Sequence, residues 1–245
     1  MISAVILTHN SQQSLKATLE SVSWCDERIV VDDYSFDKTV ALSKNLGAVV
    51  YERHVNDDFA AQRNFGLEKA KREWVLFVDS DEIVSDELAK EIQKAVNSGN
   101  DGYYLKRRDF MWGRELKHGE TANIRLLRLA KKTAGKWIRP VHETWNVAGN
   151  IGTLHHPLLH SPHPDVAQFI EEINRYSTLN AKYFYKLGVR ANMAHIVLYP
   201  LAKFFVNYVW RLGFLDGTTG AVVAILMSFH SFLTRGKLYM LARKS

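Results

Sequence analysis

Apolar residues along the first hundred positions come in short blocks separated by polar loops. Ile2–Leu7 is a largely apolar block that predicts a strand, and it runs out into Thr8-His9-Asn10. Leu15, Leu19 and Val22 then recur at helical spacing behind Ser14, which predicts a capped helix to about Ser23. Arg28–Val31 predicts a second strand, followed by a helix closed at Gly47, and Ala48–Tyr51 a third. Asp57 or Asp58 opens a helix through Ala70. Trp74–Val78 is an unbroken apolar run rich in β-branched and aromatic residues, the pattern of a strand buried on both faces. Ser85, with Asp86 and Glu87 in the first turn, starts a helix to about Asn97. Strand–helix alternation at this spacing predicts βαβ units in a mostly parallel, doubly wound α/β sheet.

Past Gly99-Asn100-Asp101-Gly102 the rhythm changes. Tyr103–Arg108, Ile124–Leu129 and Val141–Val147 read as strands with no long helix between them, an α+β half that extends the sheet. Asp165 starts a long amphipathic helix carrying Val166, Phe169, Ile170, Ile173, Tyr176, Tyr183, Phe184 and Leu187 on one stripe, expected to pack on a core. The aromatic segments Ile196–Leu212 and Ala221–Leu233 follow. The uncharged stretch Gly217–Thr234 is shorter than the roughly 20 apolar residues a spanning helix needs. Two interfacial helices with basic ends are expected; the alternative is a helical hairpin packed on the rest of the chain or on a second copy. The divisions expected are 1–100, 101–164 and an amphipathic helical tail, 165–245.

Charge sharpens the reading of that tail. Of 32 Lys and Arg residues, seven lie after Gly188 (Arg190, Lys203, Arg211, Arg235, Lys237, Arg243 and Lys244), against one acid, Asp216. The preceding residues balance at 25 of each sign, so the whole net charge of +6 belongs to an aromatic-rich segment. The apolar residues between the charges favour an anionic membrane surface over nucleic acid as partner of residues 190–245. The single cysteine, Cys25, excludes an internal disulfide and fits a reducing compartment. Met1–Leu7 lacks a basic region before its apolar run and reads as a strand, not a leader.

Candidate chemistry collects at the ends of the strands. Thr8-His9-Asn10, Asp32-Asp33 and Asp79-Ser80-Asp81 all fall where ligands bind in open α/β sheets. The first loop has no G-x-G-x-x-G, which argues against a conventional dinucleotide site. Two carboxylates one residue apart repel unless a cation lies between them, so Asp79 and Asp81 point to Mg2+ or Mn2+ held against a diphosphate. The alternatives are ordinary ones: an acidic turn, Asp32 or Asp37 as a helix cap, Arg63 as a solvated helical residue. Glu82 reads as a helix-leading charge. In the second half, Trp137-Ile-Arg-Pro-Val-His142-Glu143-Thr-Trp145 sets an imidazole and a carboxylate between two indoles that could serve as sugar platforms. Five of the 10 histidines lie between His142 and His163; His160 is a candidate further metal ligand, although the spacing matches no zinc motif.

Laid out in this way, the chain resembles the family-2 inverting glycosyltransferases of GT-A fold, and within them the small glucosyltransferases of lipopolysaccharide inner core. Thr8-His9-Asn10 is similar to the family's first nucleotide loop, and Val31-Asp32-Asp33-Tyr34-Ser35-Phe36-Asp37-Lys38-Thr39 to its second. Ala61-Gln62-Arg63-Asn64-Phe65-Gly66 resembles the segment whose Arg lies near the base, and Asp79-Ser80-Asp81 the Asp-X-Asp metal motif. Val141-His142-Glu143 resembles the motif that supplies the catalytic carboxylate, and Phe214-Leu-Asp216-Gly217 the branch's membrane-associated segment. Asp33, Tyr34, Phe36 and Lys38 depart from the small residues usual in the second loop.

The resemblance implies a metal-dependent hexosyltransferase with a UDP-sugar donor, UDP-glucose first. It gives Glu143 the role of general base and Thr8, Asn10, Asp32, Arg63 and Asp79 that of donor contacts. Asp81 and Asp79 would hold Mg2+ or Mn2+, and His142, Trp145 and His160 would serve the acceptor or assist. A lipid-anchored glycan is the implied acceptor, met peripherally on the cytoplasmic face of the inner membrane, with no nucleic acid and with room for an oligomer. A polyprenyl-phosphate sugar synthase and a non-catalytic nucleotide-sugar-binding protein are the competing readings.

Overall fold

The computed structural model describes residues 1–243, so Lys244 and Ser245 of the basic tail lie outside the described residues. In chain order the elements are β1 (Ile2–Thr8), α1 (Leu15–Ser21), β2 (Glu27–Asp32), α2 (Thr39–Asn45), β3 (Val49–Glu52), α3 (Phe59–Lys69), β4 (Trp74–Asp79), β5 (Glu82–Val84) and α4 (Asp86–Ala95). Then come β6 (Gly102–Met111), β7 (Arg114–Glu115), β8 (Arg125–Lys131), β9 (Gly135–Ile138), β10 (Thr144–Val147), β11 (Ile151–Thr153) and β12 (Leu158–His160). Three helices finish the chain: α5 (Val166–Lys186), α6 (Met193–Phe205) and α7 (Gly217–Arg243).

The chain divides into two compact units. The first takes Met1–Arg107 and Ile124–His160, the second Arg108–Asn123 and the residues from Ser161 on. The boundary expected at residue 100 is therefore not where the chain parts. The strands of the second half pair with those of the first, because backbone donors and acceptors along β4 need an antiparallel partner and β8 supplies it.

In the first unit the sheet order is β3-β2-β1-β4-β8-β6. β1, β2, β3 and β4 are mutually parallel, while β8 runs antiparallel to both β4 and β6. Alternate residues of β4 serve opposite faces: Trp74, Leu76 and Val78 pack with α1 and α4 residues such as Leu19 and Leu88, and Val75 and Phe77 with Ala60 and Leu67 of α3. Burial of each such side chain stabilises by about 1.5–3 kcal/mol.

Gly66 fixes how close α3 can lie, since a Cβ there would stand 2.5 Å from Val5 Cγ1. That approach matters for chemistry, because Arg63 sits one turn earlier on the same helix. Asp58, Ser85 and Asp165 cap their helices as the sequence predicts, each accepting a backbone N–H three residues on. Ser14 does not: its hydroxyl turns back to the Ser11 carbonyl.

The second unit is a helical body around Met111, Leu116, Phe169, Ile173, Val223 and Leu226. Here α7 packs on both α5 and α6. Of the stripe on α5, Phe169 and Ile173 pack in this core, while Val166, Ile170 and Leu187 stay exposed. A π-helical turn, Val206–Trp210, and a 3₁₀ turn, Gly213–Asp216, join α6 to α7. The tail's last helix is longer than the pattern predicts: α7 runs 27 residues, through Arg235 and Lys237. Gly213–Arg243 is long and apolar enough to cross a membrane by length and composition alone. Lys237 Nζ donates to Asn174, Ser177 and Thr178 of α5, which lets a charged residue continue the helix without facing outward.

Candidate active site

Four elements of the first unit bring charged side chains to the carboxyl end of β4. Arg63, buried on α3, donates through Nη2 to Asp79 Oδ1 at 2.8 Å and through Nε to Glu143 Oε1 at 2.7 Å. Arg128, an arginine inside the apolar strand β8, donates through Nη2 to Asp79 Oδ2 at 2.5 Å. Its Nη2 also lies 3.8 Å from Glu82 Oε1. The other Glu82 oxygen accepts the Asp79 backbone N–H at 2.8 Å. A chain of alternating charges therefore runs Glu143–Arg63–Asp79–Arg128–Glu82, beneath the stacked indoles Trp137 and Trp145 at 5.4 Å and beside Phe77. The Arg63 guanidinium carbon lies 4.8 Å from the Trp137 ring centroid. An aromatic face adds cation–π attraction to a guanidinium held between carboxylates.

The electrostatics follow from burial and pairing. Burial alone would push the Asp79 carboxyl up, but Arg128 and then Arg63 outweigh it and hold it well below the usual carboxylate range. Burial would lower the Arg128 guanidinium, and Asp79 and Glu82 raise it further than burial lowers it. Glu82 goes the other way. Its complete burial raises it, and Arg128 offsets this only in part while Asp79 adds to it. Glu82 is thus a buried member of the network, not the helix-leading charge its position before α4 suggests. Arg63 Nη1 is buried without a hydrogen-bond partner. A buried guanidinium donor without a partner is rare in a folded protein and calls for one.

Several expected contacts fall elsewhere. Asp32 is fully buried; its carboxylate accepts from Thr8 Oγ1 at 2.7 Å, Ser35 Oγ at 2.6 Å and Ser35 N at 2.7 Å. Thr8 and Asp32 therefore tie the first loop to the second and present no free oxygen to a nucleoside. The side chain left near the surface is the neighbouring Asp33, which accepts from Val55 N at 3.1 Å. Two imidazoles flank it, with His54 Nδ1 3.4 Å and His9 Nδ1 4.0 Å from its oxygens. The Tyr34 ring lies tilted against His54, with centroids 4.0 Å apart. Asn10 accepts from Phe36 N and donates toward His9, bracing the same rim.

Trp145 is buried against Trp137 and Phe77, so the sugar platform expected of it is not formed. Its face is spent on the core because β10 pairs with β9, Trp145 opposite Trp137. His142 is exposed with φ +52°, and Glu143 beside it is partly buried.

For a metal, both Asp79 oxygens are already held by guanidinium groups. Asp81 remains partly exposed, and His160 Nε2 approaches its Oδ2 at 3.5 Å. That approach is made by β12 pairing with β5, which sets His160 opposite Glu82. Among the described residues no three His, Cys, Asp or Glu side chains are grouped so as to hold a metal ion by themselves. One carboxylate and one imidazole nevertheless fit an ion that keeps waters and shares a substrate diphosphate.

Sequence reasoning missed Arg128 and Glu82. A single arginine amid Leu126, Leu127, Leu129 and Ala130 was the available signal, since Arg is almost never fully buried unless paired.

Comparison with known proteins bears on this geometry. A family model described as glycosyl transferase family 2 matches residues 3–151. The lipopolysaccharide core biosynthesis glycosyltransferase LpsC of Rhizobium meliloti (strain 1021) is 29% identical over 97% of this chain and 92% of that protein. An uncharacterized glycosyltransferase, RC0292, of Rickettsia conorii (strain ATCC VR-613 / Malish 7) is 29% identical over 100% of this chain and 92% of its own length. Among solved structures, S. aureus TarS 1-349 matches with TM-score 0.51 at 17% identity, covering 100% of this chain and 92% of that one. Glucosyl-3-phosphoglycerate synthase from Mycobacterium tuberculosis, in complex with Mn2+, UDP and glucosyl-3-phosphoglycerate, matches with TM-score 0.52 at 17% identity over 78% and 81%. At these identities the structural likeness speaks for the fold, which is the GT-A-like mixed α/β architecture the sequence predicts.

Proposed function

The chain belongs to glycosyl transferase family 2, and we propose that it moves glucose from UDP-glucose onto a lipid-anchored glycan of the lipopolysaccharide-core kind, inverting the anomeric centre. The observation that carries the reading is the Arg63 bridge, 2.8 Å to Asp79 and 2.7 Å to Glu143. It joins the end of the donor-side strand to the carboxylate assigned as base. The core-biosynthesis relative supports the acceptor class, and the UDP complexes among the fold's neighbours support the donor.

In this reading Glu143 is the general base. Arg63 holds Oε1, so the carboxylate cannot rotate, and Oε2 takes the proton from the acceptor hydroxyl as that oxygen attacks the anomeric carbon. Attack opposite to the leaving diphosphate gives inversion, so an α-linked donor yields a β-linked product. A single base suffices, unlike the carboxylate pair of a hydrolase. Arg63 Nη1, buried without a partner, is assigned to the donor diphosphate. Asp33, with Tyr34 and His54 beside it, is assigned to the nucleoside, and the buried Thr8–Asp32–Ser35 bonds hold its loop. Asn10 supports the same rim. Asp79 serves through Arg63 and Arg128. Asp81 and His160 would hold Mg2+ or Mn2+, which when bound supplies positive charge to the leaving diphosphate.

We assign the second unit to a membrane surface, and the support differs from what charge alone implied. Lys203 pairs with Glu120, Arg235 lies over Tyr199 at 4.6 Å and Lys237 bonds to α5, so these cations are spent within the unit. The stronger support is apolar. Leu198, Leu201 and Phe205 of α6 are 61%, 62% and 56% exposed, and Trp210 78%. Such contiguous exposure marks an interaction surface, and an aromatic, amphipathic helix suits an interface between water and lipid.

A donor screen with purified protein and truncated lipopolysaccharide, read by mass, tests the whole. Addition of one hexose from UDP-glucose is the expected result. Transfer only to a polyprenyl phosphate would replace the acceptor, and absence of any transfer or donor hydrolysis would sink the enzymatic reading.

A further inference from the structure

The second unit holds a cavity that nothing so far has used. It is a half-open depression of about 380 Å3, and Lys117, His118, Glu120, Trp210 and Arg211 line it. That volume is in the range of small-molecule sites. Its walls are fixed from below. Asp216, buried at 3% exposure, accepts from His118 N and from His118 Nδ1, both at 2.8 Å. Gly119 N donates to the Arg211 carbonyl at 3.0 Å. The π-helical turn Val206–Trp210 and the left-handed Leu212, φ +58°, hold Trp210 and Arg211 at the rim. Extra backbone turns and left-handed bulky residues persist only where surroundings impose them, and they gather at functional sites.

The charges in this wall are unequal. Each acid has its counter-ion or donor: Glu120 has Lys203 and Asn207, and Asp216 has His118. The cations are not matched in the same way. Among the described residues Lys117 approaches only Glu115, at 3.8 Å on the surface, and Glu115 is shared with Arg108. Arg211 makes no hydrogen bond or ion pair through its side chain among the described residues, and Trp210 beside it is exposed. A planar guanidinium fork and a mobile ammonium facing one cavity suit a tetrahedral oxyanion more than a neutral sugar. The indole adds an amphipathic edge of the kind that sits where apolar and wet surroundings meet.

We infer that this cavity is a phosphate-binding subsite, built by the loop Lys117–Glu120 and by Trp210-Arg211, which takes a phosphoryl group carried by the acceptor. The inference deepens the acceptor reading above and rests on it for the carrier of the phosphate, though not for the site itself.

The test uses the full chain. Inorganic phosphate and glucose 6-phosphate are titrated into it by calorimetry, and its sedimentation is measured with phosphatidylcholine vesicles containing or lacking phosphatidic acid. The variants are K117Q, R211Q and both together. Each removes an exposed side chain and leaves the Gly119–Arg211 backbone bond in place. UDP binding and circular dichroism report that each still folds. Saturable phosphate binding that weakens about tenfold or more in the double variant is expected, since about 1.4 kcal/mol corresponds to tenfold. Free phosphate should also remove the extra binding that phosphatidic acid gives over phosphatidylcholine alone. Recovery on phosphatidic acid vesicles but weak binding of soluble glucose 6-phosphate would identify the source as lipid-borne; the reverse would identify it as soluble. Unchanged phosphate affinity in the double variant overturns the inference. So does acetate competing as well as phosphate, or a gain in binding from phosphatidic acid that free phosphate leaves untouched. Failure of UDP-glucose turnover with phosphate binding intact would strike the proposed function and spare the subsite.

Discussion

The two units solve opposite problems with the same kinds of residue. In the first, charges are inside: Arg63, Arg128 and Glu82 are buried, and indoles cover them. In the second, the apolar residues are outside, with Leu198, Leu201, Phe205 and Trp210 exposed while Lys237 and Asp216 are turned inward to partners. Buried charge is tolerated only where each group has its counterpart, because a lone one costs several kcal/mol. Exposed apolar surface is tolerated where something other than water meets it. The contrast separates a unit organised for polar chemistry from one organised for contact.

That contrast can be broken most severely at the carboxylate proposed as base. Glu143→Gln keeps size and the bond to Arg63, so calorimetric UDP affinity should hold while turnover falls by about 10²–10⁴-fold. A variant that keeps most of its turnover would remove Glu143 from the role. Next comes the network itself. Arg128→Met leaves Asp79 and Glu82 buried with one cation fewer, and urea unfolding should show a loss of about 3–5 kcal/mol. A loss below about 1 kcal/mol would mean that water reaches the pair, and that the first unit does not rely on internal charge.

Smaller effects belong to the surface. Leu198→Glu with Leu201→Glu should lower sedimentation with anionic vesicles about tenfold and leave unfolding within about 0.5 kcal/mol of wild type, as for other exposed positions. Large destabilisation with unchanged vesicle binding would turn α6 into an ordinary packing helix. The smallest effect expected is none at all. Burial pushes the Cys25 thiol up to about 12, so a thiol reagent at neutral pH should modify it only on unfolding, which makes it a reporter for the first unit alone.

Legibility in the sequence follows from how local each interaction is. The β-strands of the first half could be read because a strand buried on both faces is apolar at every position, as Trp74–Val78 is. The three-residue strands β5, β11 and β12 could not, since nothing in Glu82–Val84 or Leu158–His160 predicts a strand before its partner is in place. The residues of the candidate site were legible by type, Asp79, Asp81, Arg63 and Glu143 among them. Their division of labour was not. That Asp32 lies beneath its loop while Asp33 faces outward is a matter of strand register, where one residue's shift reverses the face.

The sequence by itself determined the βαβ order, the helix caps at Ser85 and Asp165, a helix start at Asp57 or Asp58, the acidic strand ends and a tail unlike the rest in charge. Those features depend on periodicity and on contacts three or four residues apart. Only the tertiary structure decided that Arg63 joins Asp79 to Glu143 across 80 positions, that Arg128 completes the network, and that the indoles expected to receive sugar are packed away. Pairing energies at that separation exist only once the sheet has closed the distance, so no local pattern records them.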